Sequence, residues 1–239
     1  MNTRCTALLL LAALAIAPRW GLGADNEVAR VLGSSITREE LAGAESGTAE
    51  PDKLYDLMWR AVSTHFVAHN GLAATAGEVA ELEAYDREFE RRDRGQRARK
   101  LEELEQRLGA AALDENERRR LEEFRAVLAR MAQREAESGA EPQAAPYALW
   151  IEEWKLNRAL YERYGGVVAL TRIGPYPHGA RVALLEDYER RGLLRFSDAD
   201  LRRRLFERLA RQPPLVVAPG DVDFTPYWKR PIPFSYFPD

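Results

Sequence analysis

The chain has 239 residues, in which 35 Lys and Arg stand against 38 Asp and Glu, for a formal net charge of −3. A mildly acidic chain that is rich in both signs of charge argues against nucleic acid as its main partner. The single cysteine, Cys5, lies in the first apolar segment, so the rest of the chain cannot use disulfides, thiol catalysis or cysteine-ligated zinc.

Residues 1–24 have the features of a secretory signal peptide. Arg4 supplies a basic start, residues 5–17 are apolar, and the following "PRWGLGA" ends at the small residue Ala24. The apolar run is too short for a membrane-spanning helix, so we expect cleavage after Ala24 and no stable membrane span afterwards. A retained N-terminal anchor is the alternative. The expected location is the periplasm or another exported compartment.

Residues 25–82 predict a strand followed by helices. The alternating run 28–32 indicates the strand, and a tight turn follows at Gly33. A long helix is expected over 51–70, ended by a left-handed Gly71. Two capping boxes mark the starts of helices at Thr37 to Glu40 and at Thr75 to Glu78.

Residues 83–140 are highly charged and predict an antiparallel helical hairpin with a narrow apolar seam. Asp114 and Glu117 form a further helix start after the break at "GAAALDENE". The charge is typical of a solvated face, and a partner-binding arm is the alternative. The predicted seam consists of Leu101, Leu104, Leu108, Leu121, Phe124, Val127 and Leu128.

Residues 141–212 are expected to complete the core with a helix over 147–164, a strand over 167–173, a turn at "GPYPHG", and two further helices, over 182–191 and from Ser197 to about Arg211. We expect strand 28–32 to pair with strand 167–173 in a small two-stranded sheet. Residues 213–239 are rich in proline and aromatic residues, and they predict a strap over an apolar groove, chiefly from Phe224 onward.

His65 and His69 are four residues apart, which places both imidazoles on one face of the predicted helix, as a zinc site would need. Phe66 stands where the helical zinc-protease motif has its glutamate, and the sequence fixes no third ligand. Both histidines lie within an apolar stripe, which favours core packing or groove lining. No phosphate-binding glycine loop or nucleophile elbow is present. We therefore predict no metal, no cofactor and no catalytic residue.

Two motifs, "VARVLGSSITREEL" and "AHNGLAATAGEVAEL", resemble the N-terminal domain of SurA-like periplasmic chaperones and their parvulin-type peptidyl-prolyl isomerase relatives. The resemblance covers about residues 26–82, with Leu32 in place of the family's Asn and Ala74 in place of its Val. The histidine of the parvulin catalytic domain would fall near Arg172 and is missing, so the resemblance extends to the chaperone domain alone. The matching positions are Val28, Ala29, Val31, Gly33, Ile36 and Thr37, then Gly71, Leu72, Thr75, Glu78 and Val79.

The predicted fold class is mainly α, a helical chaperone-like domain with a small two-stranded β-sheet and a charged helical hairpin arm. The resemblance implies an exported polypeptide-binding factor of the cell envelope without evident catalysis, whose partner is an unfolded or envelope polypeptide. An isomerase relative with residual or lost activity and a structural partner of a single envelope protein are the alternatives. Aromatics at helical spacing also suit an ordinary core. The candidate peptide-groove residues are Trp59, Phe66, His65, His69, Trp150 and Trp154.

Overall fold

The computed structural model describes residues 26–42, 50–109, 113–137, 146–171 and 174–232. Over these ranges the protein is mainly α-helical, as predicted. The predicted signal peptide and the end of the proline-rich tail lie outside the described residues.

The helices are α1 Arg38–Ala42, α2 Glu50–His69, α3 Ala76–Gly109, α4 Glu115–Glu137, α5 Tyr147–Tyr164, α6 His178–Arg190 and α7 Ala199–Leu209. The strands are β1 Glu27–Val31, β2 Ser34–Thr37, β3 Val168–Thr171, β4 Gly174–Tyr176, β5 Leu194–Phe196 and β6 Val216–Val217.

The two predicted capping boxes, at Thr37 to Glu40 and at Thr75 to Glu78, are confirmed by their hydrogen bonds. The amide of Thr37 donates to the Glu40 carboxylate at 2.7 Å, and the Glu40 amide donates back to the Thr37 hydroxyl at 3.3 Å. The same reciprocal pair joins Thr75 and Glu78 before α3, at 2.8 and 3.2 Å. These side chains satisfy first-turn amides that would otherwise lack partners, so the helix boundaries follow from the sequence.

The predicted pairing of strand 28–32 with strand 167–173 is wrong. The strands form two three-stranded antiparallel sheets, in the orders β2-β1-β5 and β4-β3-β6. Each sheet contains one hairpin made by neighbouring strands, β1 with β2 and β3 with β4. β2 takes one edge of β1 and β5 takes the other, so β1 has no edge left for β3. The segment predicted as a turn holds β4, and α6 begins at His178, before the predicted start at Val182.

The hairpin between β1 and β2 turns through Leu32 and Gly33, both with positive φ, at 50° and 88°. This is the conformation for which Asn-Gly is preferred, because both central residues must be left-handed. Leu32 is held there by its amide, which donates to the Leu193 carbonyl at 2.7 Å. Leu32 stands where the SurA-like pattern has Asn. The chain therefore differs from that pattern at a turn position that requires a left-handed backbone.

The main core is formed where α2, α5, α6 and α7 pack around the sheet that contains β1. Leu54, Met58 and Val62 follow one face of α2 and are fully buried. They meet Leu156 and Leu160 of α5, so the opening strand and the early helices do fold back on the tryptophan-rich helix. The interior is apolar and compact, and its burial is the dominant favourable term in the stability of a chain of this size.

Helices α3 and α4 form the predicted charged hairpin and run antiparallel, with Arg107 bonded to Glu117 near the tip at 3.0 Å and Arg97 bonded to Glu135 further along. Leu104 and Leu128 are the buried centre of the seam. Arg97 is also buried, and it bridges Asp93 of its own helix and Glu135 of α4.

A second, smaller cluster joins the start of α3 to the start of α5 and is closed by the C-terminal segment. Its buried members are Leu82, Ile151 and Trp228. Trp228 lies in a short 3-10 turn, Tyr227–Lys229, within the segment that was predicted to form a strap. Up to residue 232, therefore, the tail packs against the helices through Trp228, and it completes a core.

Candidate functional site

The six candidate groove residues do not line one groove. His65, Phe66 and His69 lie at one surface pocket, Trp59 packs against the main core, Trp154 belongs to the second cluster, and Trp150 is exposed.

The pocket is formed by the C-terminal ends of three helices, α2, α5 and α6, and has a volume of about 320 Å³. His65 and His69 stack with ring centroids 4.4 Å apart. The Nδ1 atom of His65 lies 2.7 Å from the Tyr188 hydroxyl oxygen. The full lining is His65, Phe66, His69, Asn70, Arg163, Tyr164, Asp187, Tyr188 and Arg191.

Among the charged side chains of the pocket, Asp187 has several partners, whereas Arg163 contacts aromatic rings. Asp187 is contacted by Arg190 at 3.1 Å and by Arg191 at 3.5 Å, and it accepts a hydrogen bond from the Tyr164 hydroxyl at 3.3 Å. Arg163 instead lies over two rings, those of Tyr164 and Phe66, at 5.2 and 6.0 Å. Among the residues described, no carboxylate forms an ion pair with Arg163.

The pKa shifts in the pocket reflect partial burial next to positive charge. Burial, the neighbouring His69 and the positive charge of Arg191 all lower the pKa of His65. Burial also raises the pKa of both tyrosines, and for Tyr164 the negative charge of Asp187 adds to the effect. At neutral pH His65 is therefore a neutral imidazole, and both phenols keep their protons.

Among the described residues, no third metal ligand lies beside His65 and His69. Within the five described ranges, no group of three or more His, Cys, Asp or Glu side chains is placed to hold a metal ion. The 2.7 Å contact of His65 with Tyr188 and its stacking on His69 instead account for both rings by hydrogen bonding and packing.

Trp59 forms one wall of an aromatic sandwich around a buried arginine. The guanidinium carbon of Arg181 lies 4.3 Å from the centre of the Trp59 ring and 4.0 Å from that of Tyr176. Arg181 also donates to Asn157 at 2.7 Å and pairs with Glu153. Because the side chain of Arg181 fills the space between these rings, Trp59 is part of the packed interior.

Trp154 is paired with Trp228 in an edge-to-face contact, with centroids 5.8 Å apart. Both indole N–H groups are buried, and neither has a hydrogen-bond acceptor among the described residues. Trp150, on the neighbouring turn of α5, is 45% exposed and contacts Tyr147 edge to face. The tail therefore covers one of these two tryptophans and leaves the other open to solvent.

A different apolar surface lies on the sheet of β3, β4 and β6, where sequence reasoning placed no candidate. Leu170 of β3 is next to Leu215, the residue just before β6, and the Leu170 amide donates to the Leu215 carbonyl at 3.0 Å. Their side chains are 56% and 61% exposed. No sequence pattern predicts this pair, because β6 is only two residues long and follows two prolines.

Comparison of the chain with protein-family models, with curated proteins and with solved structures finds no match in any of the three. Within the described residues, no helix combines the length and the apolar character that crossing a membrane requires.

Proposed function

We propose that this protein is an exported, non-catalytic factor that binds unfolded polypeptides in the cell envelope, with SurA-like chaperones as its family. The observation that carries the proposal is the pair of adjacent exposed leucines, Leu170 and Leu215, at an open sheet edge. The motifs within residues 26–82 and the signal-like residues 1–24 support the family and the export.

The edge strand β6 supplies a backbone surface as well as an apolar one. It lies at one side of the order β4-β3-β6, so one row of its amides and carbonyls faces away from the sheet. An extended client segment adds to such an edge through main-chain hydrogen bonds that do not depend on the client's sequence. Pro214 and Pro219 bracket the strand and limit the added segment to a few residues.

The expected affinity is low, as transient holding requires. Covering two half-exposed leucines contributes about 2–3 kcal/mol, and part of this is offset by ordering the client. The many charged residues elsewhere on the surface keep the complex in solution.

The test is suppression of aggregation of a denatured model polypeptide by the purified protein, followed by light scattering. We expect suppression by the wild type and loss of it in the double variant L170S/L215S. The matched control is L149S, because Leu149 is 65% exposed but lies on α5. Absence of suppression by the wild type would contradict the function. Loss in L149S with retention in L170S/L215S would instead move the binding surface to α5.

Two further measurements separate the alternatives. A proline-peptide isomerisation assay is expected to show no rate increase, and a clear increase would favour the isomerase relative. Exclusive binding to one envelope protein, with no effect on generic unfolded chains, would favour the structural partner. Fusion of residues 1–24 to a reporter that is active only after export is expected to give an active reporter.

A further inference from the structure

The pocket at the ends of α2, α5 and α6 has an excess of positive charge. Two guanidiniums, those of Arg163 and Arg191, line it together with one carboxylate, that of Asp187. Asp187 is already engaged by Arg190, Arg191 and the Tyr164 hydroxyl, so it does not neutralise Arg163. Arg163 carries five N–H donors in a planar fork, and cation–π contacts use its face while leaving its edge free.

The two imidazoles of the pocket add hydrogen-bonding capacity. His65 uses Nδ1 in its contact with Tyr188, which leaves Nε2 available on the opposite side of the ring. His69 stacks on that ring and adds a second imidazole at the same surface. Below them, Phe66 forms a buried aromatic floor. A ligand in this pocket would therefore contact the hydrogen-bond donors of the arginine and histidine side chains as well as the apolar ring of Phe66.

We propose that this pocket binds a carboxylate group, held through the edge of Arg163 with Arg191 and the two imidazoles around it. The two guanidiniums of the lining outnumber its one carboxylate by a single positive charge, which matches a carboxylate monoanion and not a phosphate dianion. The planar guanidinium edge suits the two oxygens of a carboxylate, which it can bind in a bidentate manner. A volume of about 320 Å³ holds a small carboxylic acid or the last residue of a peptide.

Two kinds of ligand carry a carboxylate group of this size: a free small acid and the C-terminus of a polypeptide. The experiment uses the full chain and measures binding by calorimetry and by the NMR shifts of the histidine ring protons. The probes are sodium propionate, N-acetyl-trialanine with a free C-terminus, the same peptide as its C-terminal amide, and inorganic phosphate. Saturable binding of propionate or of the free-acid peptide, with no binding of the peptide amide, supports the proposal. Tighter binding of propionate would identify a small acid as the ligand, and tighter binding of the peptide would identify a polypeptide C-terminus.

The R163Q variant is expected to weaken carboxylate binding roughly tenfold or more, since a charged hydrogen-bond donor is lost. Its fold should be unaffected, because the side chain is exposed and makes no ion pair with the described residues. R203Q is the matched control: it removes the same charge from α7, where Arg203 is 57% exposed and outside the pocket. R191Q is a second variant that should also weaken binding.

Three results would overturn the proposal. They are equal binding of the peptide amide and the free acid, tighter binding of phosphate than of either carboxylate, and equal weakening by R163Q and R203Q. The proposal is independent of the polypeptide-binding function, because R163Q should leave aggregation suppression intact and L170S/L215S should leave carboxylate binding intact.

Discussion

Arg181 is a charged side chain whose place in the core is fixed by its neighbours. It is only 4% exposed, lies between the rings of Trp59 and Tyr176, and is bonded to Asn157 and Glu153. Burial of a cation is unfavourable unless its donors are satisfied and its charge is compensated, and these four neighbours meet most of that need.

Replacing Arg181 with Ala is expected to lower the free energy of unfolding by about 2–4 kcal/mol, because Asn157 and Glu153 lose their partner and a cavity opens between two rings. Urea unfolding measures the change. The control is R158A, since Arg158 is 54% exposed and pairs with Glu162 on the same helix; here the change should stay below about 0.5 kcal/mol. Equal effects of the two substitutions would contradict the packing role of Arg181.

The lowered pKa of His65 predicts that the stability of the protein depends on pH. Its folded-state pKa lies below the ordinary value of 6.5, because burial and nearby positive charge disfavour the imidazolium. The unfolded chain therefore binds more protons as the pH falls below 6.5, and the free energy of unfolding should decrease there. We expect H65Q to reduce this slope between pH 6.5 and about pH 5, the window above the carboxylate titrations. An unchanged slope in H65Q would show that other groups cause it.

The residue scale also shows where sequence reasoning succeeds and where it stops. The capping boxes and the left-handed Gly71, with φ of 62°, were predictable because short-range hydrogen bonding and sterics determine them. The exposed leucines Leu170 and Leu215 were not predictable, because their exposure depends on which distant segment covers the sheet.

At the scale of elements, the approach of α6 to β3 depends on one small residue. A Cβ atom on Gly179 would lie 2.7 Å from the backbone nitrogen of Val167 and 3.1 Å from the Cα of Gly166. The Gly179 amide donates to the Val167 carbonyl at 2.9 Å, which fixes the helix start against the strand start.

G179A is therefore expected to destabilise the protein by about 1–3 kcal/mol, since backbone must move to admit the methyl group. The matched variant is G95A, in the interior of α3, where an added Cβ meets nothing within 4 Å. There the same substitution should stabilise by about 0.5–1 kcal/mol, because alanine has the higher helix propensity. Thermal or urea unfolding of both variants tests the pair, and the same sign for both would refute the argument.

Helices were predictable at this scale and strand partners were not. Tyr147–Tyr164 was predicted with its observed bounds because an apolar stripe and a Gly-Gly stop define it locally. The second partner of β1, besides β2, is β5, a three-residue strand that the sequence did not predict. Such a strand is too short for a periodic signal, and only the fold brings it to the edge of β1.

At the scale of the whole molecule, the C-terminal segment holds two helices together. Trp228 is 7% exposed and packs between Leu82 of α3 and Ile151 of α5, against the ring of Trp154. A strap over an apolar surface was predictable from the density of proline and aromatic residues. The identity of the surface it covers was not, because this depends on how α3 and α5 cross.

W228S is expected to expose Trp154 and the apolar side chains around it, and to raise the fluorescence of an apolar dye bound to the folded protein. Loss of this buried ring should cost roughly 3–5 kcal/mol, and amides near Leu82 and Ile151 should lose hydrogen-exchange protection first. K229S is the control, since Lys229 is 51% exposed on the same turn. Unchanged dye binding in W228S would show that the tail does not seal this surface.

The antiparallel pairing of Ala29 with Phe196 has a consequence for the order of events during biosynthesis. β1 leaves the ribosome long before β5, so this edge of β1 has no neighbour until Phe196 has been made. The sheet in the order β2-β1-β5 is therefore completed only after the chain has been made through β5, whereas the hairpins α3–α4 and β3–β4 need only neighbouring segments.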